Sequence, residues 1–183
     1  MKKEEEIHIA KFFSLILRHK PQVIGLSLDG NGWASVYDLI LKTNQHDSSM
    51  HLDFEKLQYV VNHDNKQRFA LSPDNLKIRA NQGHSLKDVD MEFEEVEPPL
   101  ILLHGTAKKN IDGIKEHGLL KMSRQYVHLT SDHASAVKTG KRFGDPIVLI
   151  VNSQEMWAKG FKFFLSDNNV WLTEKVPPQF ITF

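Results

Sequence analysis

The sequence predicts an α+β fold arranged as two lobes, and three observations carry that prediction. Apolar residues recur at helical spacing through the first half of the chain, short strand-like runs dominate the second half, and an acidic stretch ending in two prolines lies between them. A chain of 183 residues with 40% hydrophobic side chains is long enough for one large domain or two small lobes. The divide is set by Asp88, Asp90, Glu92, Glu94, Glu95 and Glu97, followed by Pro98 and Pro99, which suit an exposed connection between residues 1–96 and 97–183. Alternation of Val89, Met91 and Phe93 also permits a short half-buried strand there, which would move the seam by a few residues.

In residues 1–96 three helices are expected. The first places Ile7, Ala10, Phe13 and Leu17 on one face and ends before Pro21, whose ring forbids continuation. A turn through Asp29-Gly-Asn-Gly32 leads to Ser35, an N-cap for a second, short helix carrying Val36, Leu39 and Ile40. Asp53 caps a third, with Phe54, Leu57, Val60 and Val61 as its apolar positions. Arg68-Phe-Ala-Leu71, a Pro73-Asp-Asn turn and Lys77-Ile-Arg-Ala80 then read as a hairpin. Three helices and a hairpin suggest a winged helix, a fold common among nucleic-acid binders, although fold alone does not specify function.

In residues 97–183 strands are expected at 100–103, 127–129, 147–151, 162–165 and 170–172. Short helices are expected from Lys109 to His117 with Gly118 as the stop, after Ser131 and after Ser153. The lobe reads as sheet-dominated.

Composition narrows the chemistry. There is no cysteine, which excludes a disulfide framework, a thiolate zinc site and a cysteine nucleophile, and which fits a reducing, cytoplasmic setting. No apolar run suits a signal peptide or a membrane span, so a soluble protein is expected. Net charge is zero: 12 basic and 15 acidic side chains up to Val96, 11 and 8 thereafter. An RNA substrate would therefore be held by a few placed cations in place of a broad basic field. Nothing calls for an obligate partner subunit, and a monomer is expected.

Candidate residues fall in four groups. Arg18, His19 and Lys20 close the first helix, where basic side chains either complement the partial negative charge of the helix end or form a phosphate site. Arg68 at the hairpin entry reads as a solvated strand edge unless the fold sets it beside Arg18, in which case two guanidinium forks can grip one phosphate. His104-Gly105-Thr106 sets a histidine, a flexible glycine and a hydroxyl at a strand end. Arg124, Tyr126 and His128 alternate on one face of an extended segment, which is either a ligand face or merely the solvent side. No metal is expected. The ten histidines form no close helical pair with a glutamate, the nearest pairs being His46 with His51 and His128 with His133. The Asp29-Gly-Asn-Gly32 turn matches neither a Rossmann loop nor a P-loop.

Together these groups resemble the tRNA 2′-phosphotransferase family. The resemblance runs from about His8 to the carboxyl terminus through Phe13-Ser-Leu-Ile-Leu-Arg-His-Lys-Pro21, Asn31-Gly-Trp-Ala34, Lys66-Gln-Arg-Phe69, Arg79-Ala-Asn-Gln-Gly-His-Ser85, Leu103-His-Gly-Thr106, Arg124-Gln-Tyr-Val-His-Leu129 and Asn169-Val-Trp-Leu172. It implies a winged-helix RNA-binding lobe in residues 1–96 and an NAD-binding lobe, similar to ADP-ribosyltransferases, in residues 97–183. It further implies that Arg18, His19, Arg68 and Arg124 are catalytic, and that His104, Gly105, Thr106, Arg124 and His128 bind NAD. The implied chemistry consumes NAD as co-substrate and uses no metal. The RNA 2′-phosphate displaces nicotinamide, and the ribose 2″-hydroxyl then attacks the phosphorus, giving 2′-hydroxyl RNA and ADP-ribose 1″,2″-cyclic phosphate. The alternatives are an ADP-ribosyltransferase acting on another acceptor and a non-enzymatic winged-helix nucleic-acid binder.

Overall fold

Helix α1 runs Lys3–Arg18 in a computed structural model that describes residues 1–183. Its buried face is Ile9, Ala10, Phe13, Ile16 and Leu17, and Ile7, expected on that face, is 43% exposed. At 3.6 residues per turn Ile7 lies about 120° from Phe13, outside a stripe of ordinary width. The helix stops as expected: His19 and Lys20 both donate backbone N–H groups to the Leu15 carbonyl, and Pro21 opens a single 3-10 turn.

The next two helices start where their capping residues lie. Strand β1 (Ala34–Ser35) leads directly into α2 (Val36–His46), with the Ser35 hydroxyl accepting from the Asp38 amide at 3.2 Å. The Asp53 carboxylate accepts from the Lys56 amide at 2.7 Å to start α3 (Phe54–His63). Strands β2 (Phe69–Leu71) and β3 (Lys77–Ala80) form the antiparallel hairpin, and β1 pairs with β3 through Ala34 and Ile78. The order β1-β3-β2 makes a three-stranded sheet. Two residues of β1 carry too little periodicity to be read from sequence. The core joins α1 to this sheet: Phe13 meets Phe69 edge-on at 5.8 Å, among Leu17, Leu39, Leu57, Val60 and Ile78.

The chain divides into two compact units, residues 1–92 and 93–183. No strand forms over Val89, Met91 and Phe93. The Asp90 amide donates to the Gly30 carbonyl at 2.7 Å, and buried Val89 and Met91 pack toward Gly32. Residues 95 and 96 belong to the second unit: Glu95 bridges Phe164 and pairs with Lys162 at 3.0 Å, and the Val96 amide donates to the Phe163 carbonyl.

The second unit contains β4 (Leu102–Ala107), β5 (Leu119–Leu120), β6 (Val127–Leu129), β7 (Pro146–Val151), β8 (Phe164–Leu165), β9 (Trp171–Thr173), β10 (Lys175–Val176) and β11 (Ile181–Thr182). These build antiparallel sheets in the orders β11-β7-β4, β6-β9-β8 and β10-β5, and a bridge between Leu103 and Thr130 joins β4 to the end of β6. Helix α4 (Ile111–His117) follows a 3-10 turn and ends at Gly118, whose φ of 76° suits a residue without a Cβ. Asp132 caps α5 (His133–Gly140), the helix expected after Ser131, and Asn152 precedes α6 (Ser153–Ala158). Ser153 is the first residue of α6, and its hydroxyl donates to the Pro99 carbonyl. Leu102, Leu149, Val151, Phe163 and Phe180 form a separate core. No helix is long and apolar enough to cross a membrane.

Candidate active site

In the first unit, the end of α1 is covered by the segment that leaves β3. Arg18 packs over Gly83: a Cβ built on that glycine would lie 3.7 Å from the arginine Cδ, Nε and Cζ. Gly83 has φ of 88°, so a side chain there would add backbone strain to that crowding. His19 Nδ1 lies 3.0 Å from Ser85 Oγ, and the Ser85 amide donates to the Arg18 carbonyl at 3.0 Å. At the other end of the same segment, the Asn81 amide donates to the Arg68 carbonyl at 2.8 Å and its Nδ2 to the Gln67 carbonyl at 2.7 Å. One run, Asn81–Ser85, therefore touches the adjacent Arg18 and His19 and, far from them in sequence, the backbone of Arg68.

His84, the fourth residue of that run, is 1% exposed. Burial pushes its pKa down to about 4, and the positive groups Arg18, His19 and Arg79 push in the same direction. Burial and these charges together keep the ring neutral at pH 7. Arg79, on β3, also stacks over Trp33 at 4.6 Å. The guanidinium of Arg68 pairs with Asp64, Nη1 to Oδ1 at 3.0 Å, so it is not the bare strand edge that its position suggested.

In the second unit, His104, Gly105 and Thr106 lie inside β4, paired to Leu149, Val148 and Ile147, and not at a strand end as expected. The apolar run 100–103 misplaced the strand because Leu100 and Ile101 are exposed and only Leu102 onward is paired. His104 Nδ1 lies 3.1 Å from the His128 carbonyl. A carbonyl only accepts, so Nδ1 carries the proton and Nε2 the lone pair. Burial lowers the His104 pKa and the Arg124 charge adds to this, while the bond to His128 opposes it, leaving a neutral acceptor. Gly105 does not serve flexibility: a Cβ there would come 1.8 Å from the Ala136 carbonyl oxygen, so its hydrogen is what lets α5 seat on β4. Thr106 is almost buried, with its hydroxyl accepting from Asn110 Nδ2 at 3.1 Å.

Arg124 lies in the turn before β6, with its amide donating to the Lys121 carbonyl, and not in the extended segment that alternation suggested. The turn still carries its guanidinium to His128: Nη1 donates to His128 Nδ1 at 3.0 Å, which places the imidazole proton on Nε2. Burial, and then the charge of Arg142, lower the Arg124 pKa. Tyr126 packs between Phe93 and Phe164, an aromatic role that its polar hydroxyl concealed. No group of three or more His, Cys, Asp and Glu side chains is arranged to hold a metal ion.

The sequence reading assigned no role to Asn81, Gly83, His84, Ser85, Arg79, Asp64 or Arg142. For the first four a signal was present, in the polar Asn-Gln-Gly-His-Ser run directly after a strand. Arg79 opens the same stretch, on the strand itself, and nothing local marked Asp64 or Arg142.

The chain belongs to the RNA 2'-phosphotransferase, Tpt1/KptA family, whose model matches residues 4–175. Among its relatives, a protein of Flavobacterium johnsoniae is 52% identical over 96% of this chain and 94% of its own length. A protein of Agrobacterium fabrum is 48% identical over 94% of this chain and 91% of its own, and one of Fusobacterium nucleatum 46% over 98% and 99%. Each of the three bears the name "Probable RNA 2'-phosphotransferase".

Proposed function

We propose that this chain removes a 2′-phosphate from RNA, of the kind left at a tRNA splice junction, by transferring it to NAD. The observation that carries the reading is the Asn81–Ser85 run, which packs on the Arg18 side chain, holds His19 through Ser85 and binds the backbone carbonyl of Arg68, with the charges of Arg18, His19 and Arg79 acting on His84. A phosphate monoester is anionic at neutral pH and needs positioning more than deprotonation. Three helices with a three-stranded antiparallel sheet support reading residues 1–92 as a winged-helix RNA-binding lobe. The sheet-rich unit 93–183 is read as an ADP-ribosyltransferase-like lobe that takes NAD.

NAD would supply an electrophilic ribose carbon and a nicotinamide leaving group. Arg18 and Arg68 would hold the RNA phosphate and stabilise the charge that grows on its oxygens during transfer, the task that a metal ion performs elsewhere. His19, oriented by Ser85 at Nδ1, would exchange a proton through Nε2. The donor set of the second unit suits a dinucleotide: the His104 Nε2 lone pair would accept from a ribose hydroxyl, and Arg124, with Arg142 near it, would face phosphate oxygens. Gly105 and Thr106 would shape that site by seating α5 and anchoring Asn110.

The test is incubation of the purified chain with a 2′-phosphorylated oligoribonucleotide, with and without NAD, followed by chromatography. The expected products, formed only with NAD, are 2′-hydroxyl RNA, nicotinamide and ADP-ribose 1″,2″-cyclic phosphate. ADP-ribose remaining on an acceptor would favour a different ADP-ribosyltransferase. An NAD-independent gel shift without nicotinamide release would favour a simple binder.

A further inference from the structure

Asp64, at the carboxyl end of α3, uses both carboxylate oxygens on the turn that follows. Oδ1 accepts from Arg68 Nη1 at 3.0 Å and from the Lys66 amide at 3.3 Å, while Oδ2 accepts from the Arg68 amide at 2.7 Å. The aspartate side chain is only 6% exposed, so this is not the solvated surface pair that contributes almost nothing. The turn itself is unusual: Gln67 has φ of 45°, and its amide donates to the Asp64 carbonyl at 2.7 Å. From the opposite side buried Asn81 holds the carbonyls of Gln67 and Arg68. The peptide carrying Arg68 is thus clamped on both sides. A guanidinium has five N–H donors in a planar fork, and the carboxylate takes one nitrogen, Nη1.

We infer that Asp64 is a positioning residue: by gripping Nη1 and the backbone N–H of Arg68 together, it aims the rest of the arginine fork at the phosphate of the RNA substrate, with Asn81 bracing the peptide behind. The inference rests on the reading of Arg68 as a phosphate ligand. Asp64→Asn is a sharp probe of it. An asparagine offers one acceptor oxygen, which can keep the bond from the Arg68 amide while its NH2 meets Nη1 and the more distant Lys66 amide donor to donor. The turn would survive and the arginine would swing loose.

The experiment is a double-mutant cycle on the full chain with Asp64→Asn, Arg68→Ala and both, reading kcat and KM with 2′-phosphorylated RNA, beside thermal melts. Asp64→Asn is expected to lower kcat about 10- to 100-fold, the scale of a catalytic group misplaced by about 1 Å, with the KM for NAD unchanged. In the Arg68→Ala background it should add nothing. Losses that multiply across the cycle would overturn the inference. A second readout needs no turnover: the Arg68 Nε–Hε NMR signal of the labelled chain, assigned by its loss in Arg68→Lys. It should be sharp in the wild type and broadened in Asp64→Asn, and an unchanged signal would overturn the brace. Wild-type protein that shows the sharp signal but no phosphate transfer would sink the proposed function and leave the brace standing.

Discussion

The two units place their candidate residues in opposite ways. In residues 1–92 the cations come from a helix end, a hairpin entry and a strand, and a coil segment, Asn81–Ser85, ties them together. In residues 93–183 the histidine, glycine and threonine sit consecutively inside β4, held by cross-strand pairing and by a helix pressed against the glycine. The first arrangement concentrates positive charge and depends on side chains. The second depends on the spacing of backbones, and its histidine is a neutral acceptor. Charge should therefore be the sensitive variable in the first unit and volume in the second.

Removing one of the first unit's candidate side chains should have the largest effect. Arg18→Ala, His19→Ala or Arg68→Ala is expected to slow phosphoryl transfer about 10²- to 10³-fold, roughly 3–4 kcal/mol of barrier, and to slow nicotinamide release less. ADP-ribosylated RNA should then accumulate on gels of 2′-phosphate-labelled substrate. Unreacted substrate with no such species would contradict that division of labour.

Acid should act next, and on the first unit. His84 has its folded pKa depressed to about 4 from 6.5, so the unfolded chain binds the proton more readily. The stability it contributes is complete above pH 6.5 and is lost as pH falls toward 4, about 3 kcal/mol in all. Urea midpoints recorded across that range should show the slope in the wild type and a weaker one in His84→Gln. Equal slopes would mean the ring is not buried neutral.

Volume is the matching test in the second unit. Gly105→Ala drives a methyl into the Ala136 carbonyl and should cost about 1–3 kcal/mol, read as a fall in urea midpoint, because α5 has to shift off β4. The same change at Gly113, where nothing lies within 4 Å, should cost no stability. Indistinguishable melts for the two variants would remove the contrast between charge and volume. A modest loss is expected from Asp53→Ala, which deletes the cap of α3 and should cost about 1 kcal/mol by the same measurement.

These contrasts also explain what could be read in advance. Ser35 and Asp53 cap their helices as expected, since a cap is a local event between a side chain and an amide three residues on. The hairpin at 69–80 and the strands at 127–129 and 147–151 follow for the same reason: strand alternation and turn residues are local. Ile7 shows the limit, since an apolar residue near a helix start can be counted into a stripe that it misses by about a third of a turn. Strand β4 shows another: the apolar run before it looked like the strand, but the pairing partner Pro146–Val151 set the bounds. Candidate residues could be singled out by type, while the contacts among Arg18, Gly83, His19 and Ser85 span more than sixty positions and left no periodic trace. Asp64 was invisible because nothing about an aspartate after a helix announces which arginine it will hold.

The absence of cysteine from all 183 residues has a practical corollary. Any thiol introduced by mutation is the only one present, so dye attachment needs no background removal. Gly30 and Gly113 each have open space where a side chain would go and φ in the ordinary range, and they lie one in each unit. A donor and acceptor fluorophore at that pair would turn the distance between the two units, with RNA or NAD added, into a directly observable signal.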